Sequence, residues 1–155
     1  MKTLCLYYTR TGHTRKIMER VAELTDADLV EYTDGIDRSG IKGYLKSCLD
    51  SFWLPPKTSI VGKEPNWSKY DRVIVGMPVW AEKPCVVGRG FLRQFSGNFN
   101  GQVYLVVTHQ AKNQYDKAIE GAYKYCANVP EGYFSIQTGH DPEMEIQRFV
   151  HRIGR

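Results

Sequence analysis

The chain has 155 residues, of which 42% are hydrophobic and 25% charged, and its formal net charge is +4 at neutral pH. This length and composition predict a single folded domain over residues 1–155 and exclude the disordered and fibrous classes. The sequence has no apolar run near the roughly 18 residues of a membrane span, no signal-peptide pattern and no aromatic-interleaved basic stripe, so we expect a cytoplasmic protein without membrane or nucleic-acid partners.

Five short segments rich in β-branched and aromatic residues predict strands. They are Thr3–Tyr8, Asp28–Tyr32, Arg72–Met77, Val103–Thr108 and Tyr133–Thr138. Helical patterns separate them, which is the alternation typical of βαβ units and a parallel sheet. Val73–Val75 and Val103–Val107 are apolar at every position, as expected for central strands that are covered on both faces.

Apolar residues spaced three and four apart predict the helices. The first helix opens behind Gly12, and two others cover residues 118–126 and 146–153, the last with Asp141 as cap and Pro142 at its first position. A further helix follows Ser39, with its apolar face formed by Ile41, Tyr44, Leu45, Cys48, Leu49 and Phe52. We expect all these faces to pack into the core. Residues 53–67 are interrupted by prolines and predict a loop.

The four cysteines carry no recognisable chemistry. Cys5, Cys48, Cys85 and Cys126 are widely separated and lack the paired spacing of zinc sites or thioredoxin-like motifs. We therefore expect structural thiols and no metal site.

The segment Tyr8–Thr14 is the most informative in the chain. It follows the first strand directly and opens a helix, so unpaired N–H groups and the helix dipole point at whatever lies there. Thr9, Thr11 and Thr14 add hydroxyl groups, and Gly12 lets the backbone wrap closely around an anion. The loop lacks the glycine patterns of P-loop hydrolases and dinucleotide folds, which favours a monophosphate ligand. Arg10 and His13 belong to the same loop, although either can be an ordinary solvated charge.

These residues resemble the signature of the flavodoxin family, a strand followed by Thr/Ser-x-Thr-Gly-x-Thr. Val75–Trp80 is similar to that family's third strand and the loop that covers the flavin, and residues 39–52 and 84–95 extend the resemblance over nearly the whole chain. The resemblance implies a three-layer, doubly wound five-stranded parallel sheet with strand order 2-1-3-4-5, and it implies flavin mononucleotide (FMN) as cofactor. Ligands of such sheets bind at the switch-point crevice, between the loops of the first and third strands.

The crevice adds two further groups of candidate site residues. The loop after the third strand supplies a tryptophan whose indole can stack on a flat ring, although a packed core tryptophan is the alternative. The loop after the fourth strand can read the flavin's pyrimidine edge, and Tyr115 is either a second stacking aromatic or the first residue of the next helix. The candidates in these loops are Pro78, Val79, Trp80, Ala81, Thr108, His109, Gln110 and Tyr115.

The resemblance leaves two main functions open. The first is an electron-transfer protein that serves redox partner proteins or a small-molecule acceptor. The alternative is a small FMN-dependent NAD(P)H:quinone-type reductase, in which His109 or water supplies protons. The turn after Trp80 has no glycine before Gly88, so a positive φ there is expected to be costly, which favours the reductase. The absence of a separate nicotinamide domain favours the carrier, and a third reading is a binding module that has lost the flavin.

Overall fold

The computed structural model describes residues 1–112 and 115–154. Its strands are β1 (Thr3–Tyr7), β2 (Asp28–Thr33), β3 (Ser59–Ile60), β4 (Arg72–Trp80), β5 (Lys83–Pro84), β6 (Gln102–His109) and β7 (Gly132–Gln137). Its α-helices are α1 (His13–Thr25), α2 (Gly40–Asp50), α3 (Val86–Phe95), α4 (Asp116–Gly121) and α5 (Glu143–Ile153). Within these ranges, no helix combines the length and the apolar character that crossing a bilayer requires.

The five predicted strands form the parallel sheet in the predicted order. Counted along the sheet they are β2, β1, β4, β6 and β7, which confirms the doubly wound α/β fold. Two short antiparallel strands were not predicted: β3 pairs with β2 inside the expected loop 53–67, and β5 folds back onto the end of β4. The sheet therefore has seven strands rather than five.

The sheet is covered on both faces, which makes three layers. On β1, Leu4 and Leu6 point into one apolar cluster while Cys5 and Tyr7 point into the other, as the two-residue repeat of a strand requires. Helices α1 and α5 cover the second cluster, and α3 covers the first. The central strands thus carry buried residues on both sides, in agreement with their continuous apolar sequence.

Helix α2 differs from the sequence prediction. Its apolar stripe, expected in the core, faces outward, and Ile41 is 80% and Leu49 64% exposed. The residues that α2 buries are instead Gly43 and Ser47. The spacing predicted the helix correctly, but it cannot say which of two faces packs inward when the second face consists of small residues.

Two helix ends also differ in detail. Helix α5 begins at Glu143 with Pro142 as its N-cap, and Asp141 accepts a hydrogen bond from the Glu143 N–H at 3.1 Å. The helix expected over residues 118–126 is divided into α4 and a 3₁₀ turn at Ala122–Tyr125. Neither change moves the loops at the carboxyl ends of the strands.

Candidate functional site

One pocket lies at the carboxyl ends of β1, β4 and β6, where the strand order reverses direction. It brings together thirteen of the fourteen predicted site residues. Those thirteen are Thr9, Arg10, Thr11, His13, Thr14, Pro78, Val79, Trp80, Ala81, Thr108, His109, Gln110 and Tyr115. Gly12 does not line the pocket itself, but it shapes the loop whose other residues do. The pocket occupies the place where open α/β sheets bind ligands.

The first wall is the turn between β1 and α1. Gly12 is the N-cap of α1 and has φ of +89°, a conformation that a glycine adopts easily. Gly12 has no side chain to cap the helix, and the first turn of α1 carries no acidic residue. The first-turn N–H groups and the positive end of the helix dipole therefore favour an anion at this point.

The three threonines of this turn have different roles. The Thr9 hydroxyl accepts a hydrogen bond from the Gly12 N–H at 2.9 Å, which closes the loop. The buried Thr14 hydroxyl lies 2.7 Å from the hydroxyl of Thr108, which joins the loop to the end of β6. Thr11 alone is exposed without a hydrogen-bond partner among the described residues. Thr11 is therefore the threonine side chain most available to an anion.

The second wall is Trp80, which closes β4. Its side chain is only 8% exposed, and its ring meets Tyr8 edge to face at 5.7 Å between centroids. The guanidinium of Arg38 lies 5.1 Å from the centre of the Trp80 ring. Trp80 is therefore held on two sides by protein while still lining the pocket. Trp80 thus packs like a core aromatic on one side and forms part of the pocket wall on the other.

Arg38 is itself buried and charged. It forms ion pairs with Asp34 at 2.6 Å and Asp50 at 2.7 Å, and its side chain is 2% exposed. Burial opposes the charge, but the hydrogen bonds that the guanidinium donates to the two carboxylates outweigh it, so the pKa of Arg38 is raised. Its Nε is buried and has no partner among the residues described. This cluster connects the loop before α2 to the tryptophan at the pocket.

The turn after Trp80 adopts the conformation that its sequence makes costly. Ala81 has φ of +47° and Glu82 φ of +62°, and Trp80 pairs with Lys83 across the two-residue turn. Positive φ at both central positions is typical of the tight hairpin turn that matches strand twist. The missing glycine therefore does not prevent positive φ at this turn.

The third wall comes from the ends of β6 and β7. The Nδ1 of His109 donates to the carbonyl of Ala111 at 2.6 Å, and the imidazole meets the ring of Tyr115 at 5.2 Å. Tyr115 is the N-cap residue of α4, immediately before its first turn. The Thr138 N–H donates to the His109 carbonyl at 2.7 Å, which holds the loop against β7. Asn113, in the same predicted loop, lies outside the described residues.

Sequence reasoning missed a fourth wall, which α2 supplies. Tyr44, Ser47 and Cys48 line the pocket, and the guanidinium of Arg10 lies 5.5 Å from the centre of the Tyr44 ring. Tyr44 and Cys48 were placed in the core because they share the apolar stripe of α2. The remaining unpredicted lining residues are Glu82, Ala111 and Thr138, which adjoin predicted ones.

The donor set fits a ligand with a phosphate and a flat ring. The uncapped N-terminus of α1 and the Thr11 hydroxyl suit a phosphate, while Trp80 and Tyr115 offer aromatic walls on the same pocket. The fold and the site together define a doubly wound α/β protein with a ligand pocket at its switch point.

Comparison with known proteins gives the family. A family model described as flavodoxin matches residues 2–150, so the chain belongs to the flavodoxin family. No curated protein sequence matches the chain.

Solved structures share the fold at low sequence identity. A flavoprotein from Lactobacillus acidophilus, determined in complex with FMN, has a TM-score of 0.73 and 23% identity over 95% of this chain and 97% of its own. A protein assigned as a flavoprotein in Bacteroides eggerthii has a TM-score of 0.75 and 17% identity over 99% and 98%. A WrbA-like flavodoxin from Agrobacterium tumefaciens has a TM-score of 0.63 and 14% identity over 98% and 94%.

Proposed function

We propose that this chain binds FMN in the pocket and works as an electron-transfer protein. The observation that carries the proposal is the single pocket in which an uncapped helix N-terminus and an aromatic wall face the same space at the switch point. The fold neighbour from Lactobacillus acidophilus, which was determined with FMN, supports the choice of ligand. FMN supplies the reversible uptake of electrons, and the protein supplies binding, orientation and electrostatics.

Different residues would bind the phosphate and the ring system of FMN. The first-turn N–H groups of α1 and the Thr11 hydroxyl would hold the phosphate, because they lie together at one helix N-terminus and have no other partner among the described residues. Trp80 and the loop from Thr108 to Gln110 would contact the ring system, since they form the opposite walls. Electrons would pass to and from redox partner proteins or a small-molecule acceptor at the open side of the pocket.

A small FMN-dependent NAD(P)H:quinone-type reductase is the second candidate, and His109 is the observation in its favour. Its Nδ1 is engaged by the Ala111 carbonyl, which leaves Nε2 without a hydrogen-bond partner among the described residues, on a side chain that lines the pocket. An imidazole nitrogen in that position can exchange a proton with a group bound in the pocket. Anaerobic addition of NADPH to the FMN-loaded protein separates the candidates, because rapid bleaching of the flavin, slowed in His109→Asn, supports the reductase.

The phosphate assignment is tested with Thr11→Ala. We expect the variant to bind FMN more weakly by about 1.5–3 kcal/mol, the range for hydrogen bonds to charged groups. Riboflavin has no phosphate, so its affinity should be nearly unchanged, and Thr11→Ser should retain most of the FMN affinity because it keeps the hydroxyl. Equal losses for FMN and riboflavin, measured by flavin fluorescence titration, would show that this turn does not hold the phosphate.

A further inference from the structure

The outer surface of α2 and the segment after it expose large apolar side chains. We name this surface the apolar ridge, and it consists of Ile41, Tyr44, Leu45, Leu49 and Phe52–Leu54. Each member is more than half exposed, and Trp53 and Leu54 reach 72% and 84%. Soluble monomers rarely expose a contiguous apolar patch larger than a few hundred Å², and larger patches mark interaction sites. A surface of this size marks a place of interaction.

The ridge cannot turn inward, because the opposite face of α2 fits the protein closely. A Cβ on Gly43 would lie 2.0 Å from the carbonyl carbon of Arg38. Ser47 and Ser51 are buried, and their hydroxyls donate to carbonyls within the helix at 2.7 and 2.8 Å. Arg89 donates to the Ser51 carbonyl at 2.8 Å and anchors the end of the helix. The outward position of the ridge is therefore built into the packing.

Basic side chains surround the ridge. A groove beside Phe52–Leu54 is lined by Lys83, Arg93 and Lys124, and no acidic residue is among its described lining residues. The Nζ of Lys83 lies 4.9 Å from the centre of the Phe52 ring. Lys42 and Lys57 are exposed along the same stretch of chain, as is Lys46, which pairs with Asp50 at 3.4 Å. Asp50, the acid within α2, pairs with the buried Arg38, while Asp37 and Glu82 are the exposed acids at its margins.

This combination identifies the kind of partner. A second copy of the chain would bring the same lysines against one another, and lysine is depleted from protein interfaces in general. An anionic lipid surface attracts lysines and accepts Trp, Phe and Leu side chains at its boundary. The ridge has these features on one side of a helix whose other side is packed against the protein. The expectation of no membrane partner considered only spanning segments, and a peripheral contact needs none.

We propose that the apolar ridge docks this protein on an anionic membrane surface. Tyr44 and Cys48 of α2 line the cofactor pocket, so docking through α2 brings that pocket to the bilayer. If the proposed electron-transfer function holds, this position suits an electron acceptor that is dissolved in the membrane. The docking itself requires no cofactor, so its test is independent of the proposed electron-transfer function.

Vesicle flotation tests the docking. The probes are vesicles of equal parts phosphatidylglycerol and phosphatidylcholine, and vesicles of phosphatidylcholine alone, with the protein in its FMN-loaded and FMN-free forms. We expect binding to the anionic vesicles to be at least about tenfold stronger than to the neutral ones and to weaken as salt is added. Trp53 fluorescence should shift to the blue on binding, and this shift should be absent in Trp53→Ser.

Matched variants separate the ridge from general charge and hydrophobicity. Phe52→Ser with Leu54→Ser, and separately Lys42→Glu with Lys83→Glu, should each reduce binding at least about tenfold. Val129→Ser is the apolar control, because Val129 is 79% exposed elsewhere, and Lys63→Glu with Lys69→Glu is the charge control. Absence of binding to both vesicle types would overturn the proposal. A dimer in light scattering that the Phe52→Ser, Leu54→Ser variant converts to a monomer, without vesicle binding by either, would overturn it in favour of a second copy.

Discussion

Replacing Arg38 with methionine removes the positive charge from a cluster that is almost fully buried. The Arg38 side chain is 2% exposed, and its partner Asp34 is 0% exposed at 2.6 Å. Removing one member of a buried ion pair leaves the other charge without compensation and costs about 3–5 kcal/mol. Against a usual total stability of about 5–15 kcal/mol, the variant should be severely destabilised. The loss should also loosen Trp80, since Arg38 lies 5.1 Å from the centre of its ring.

Urea unfolding followed by circular dichroism measures the loss. Arg20→Met is the matched control, because Arg20 also bridges two carboxylates, Glu23 and Glu143, but its side chain is 35% exposed. We expect the control to lose only a small fraction of what Arg38→Met loses, because solvent screens exposed pairs. Adding Asp34→Leu to Arg38→Met should recover part of the stability, since it removes the uncompensated charge. If Arg38→Met costs no more than the control, the reasoning from burial is refuted.

Two further predictions concern the turn after Trp80 and the reactivity of the cysteine thiols. Ala81→Gly should raise the free energy of unfolding by about 0.5–1 kcal/mol, because glycine adopts the observed φ of +47° without strain. If both Ala81→Gly and Glu82→Gly lower the free energy of unfolding, the turn is not strained. Burial raises the pKa of both Cys5 and Cys85 to about 12 and that of Cys126 to about 11. At pH 8 a thiol reagent should therefore modify the half-buried Cys48 first, and FMN should slow that reaction because Cys48 lines the pocket; mass spectrometry that finds Cys85 labelled as fast, or no protection by FMN, would contradict this.

The sequence predicts the parts of this fold that depend on continuous local signals. The five long strands follow from runs such as Val103–Val107, and the turn from Thr9 to Thr14 follows from its position between a strand and a helix. The two-residue strands β3 and β5 have no such signal, because Ser59–Ile60 and Lys83–Pro84 are too short to show a period. They form only because neighbouring strand edges are available to them, which is a property of the assembled sheet.

The same dependence on local signals explains which residues of the site can be predicted from the sequence. Trp80 and His109 lie within three residues of the ends of predicted strands, so the rule that ligands bind at strand ends places them together. No such rule applies to Arg38. Its role depends on ion pairs with Asp34 and Asp50 on either side of it, and no spacing in the sequence predicts those pairs. At Ala81 the local preference against positive φ yields to the hairpin that β5 requires, so the sequence indicates the cost of this turn but does not predict its conformation.

Helix α2 shows why an apolar stripe does not by itself define a core. Two stripes run along this helix at the same spacing, one of large apolar residues and one through Gly43, Ser47 and Ser51. Burial of large apolar area favours turning the first stripe inward, but the space beside Arg38 admits only a residue without a Cβ at position 43. The backbone of Arg38 fills that space, and the ion pairs of its side chain with Asp34 and Asp50 hold that backbone in place. The residue that packs on Trp80 therefore also directs the apolar ridge outward. The wall of the pocket and the exposed surface of α2 therefore have one structural cause.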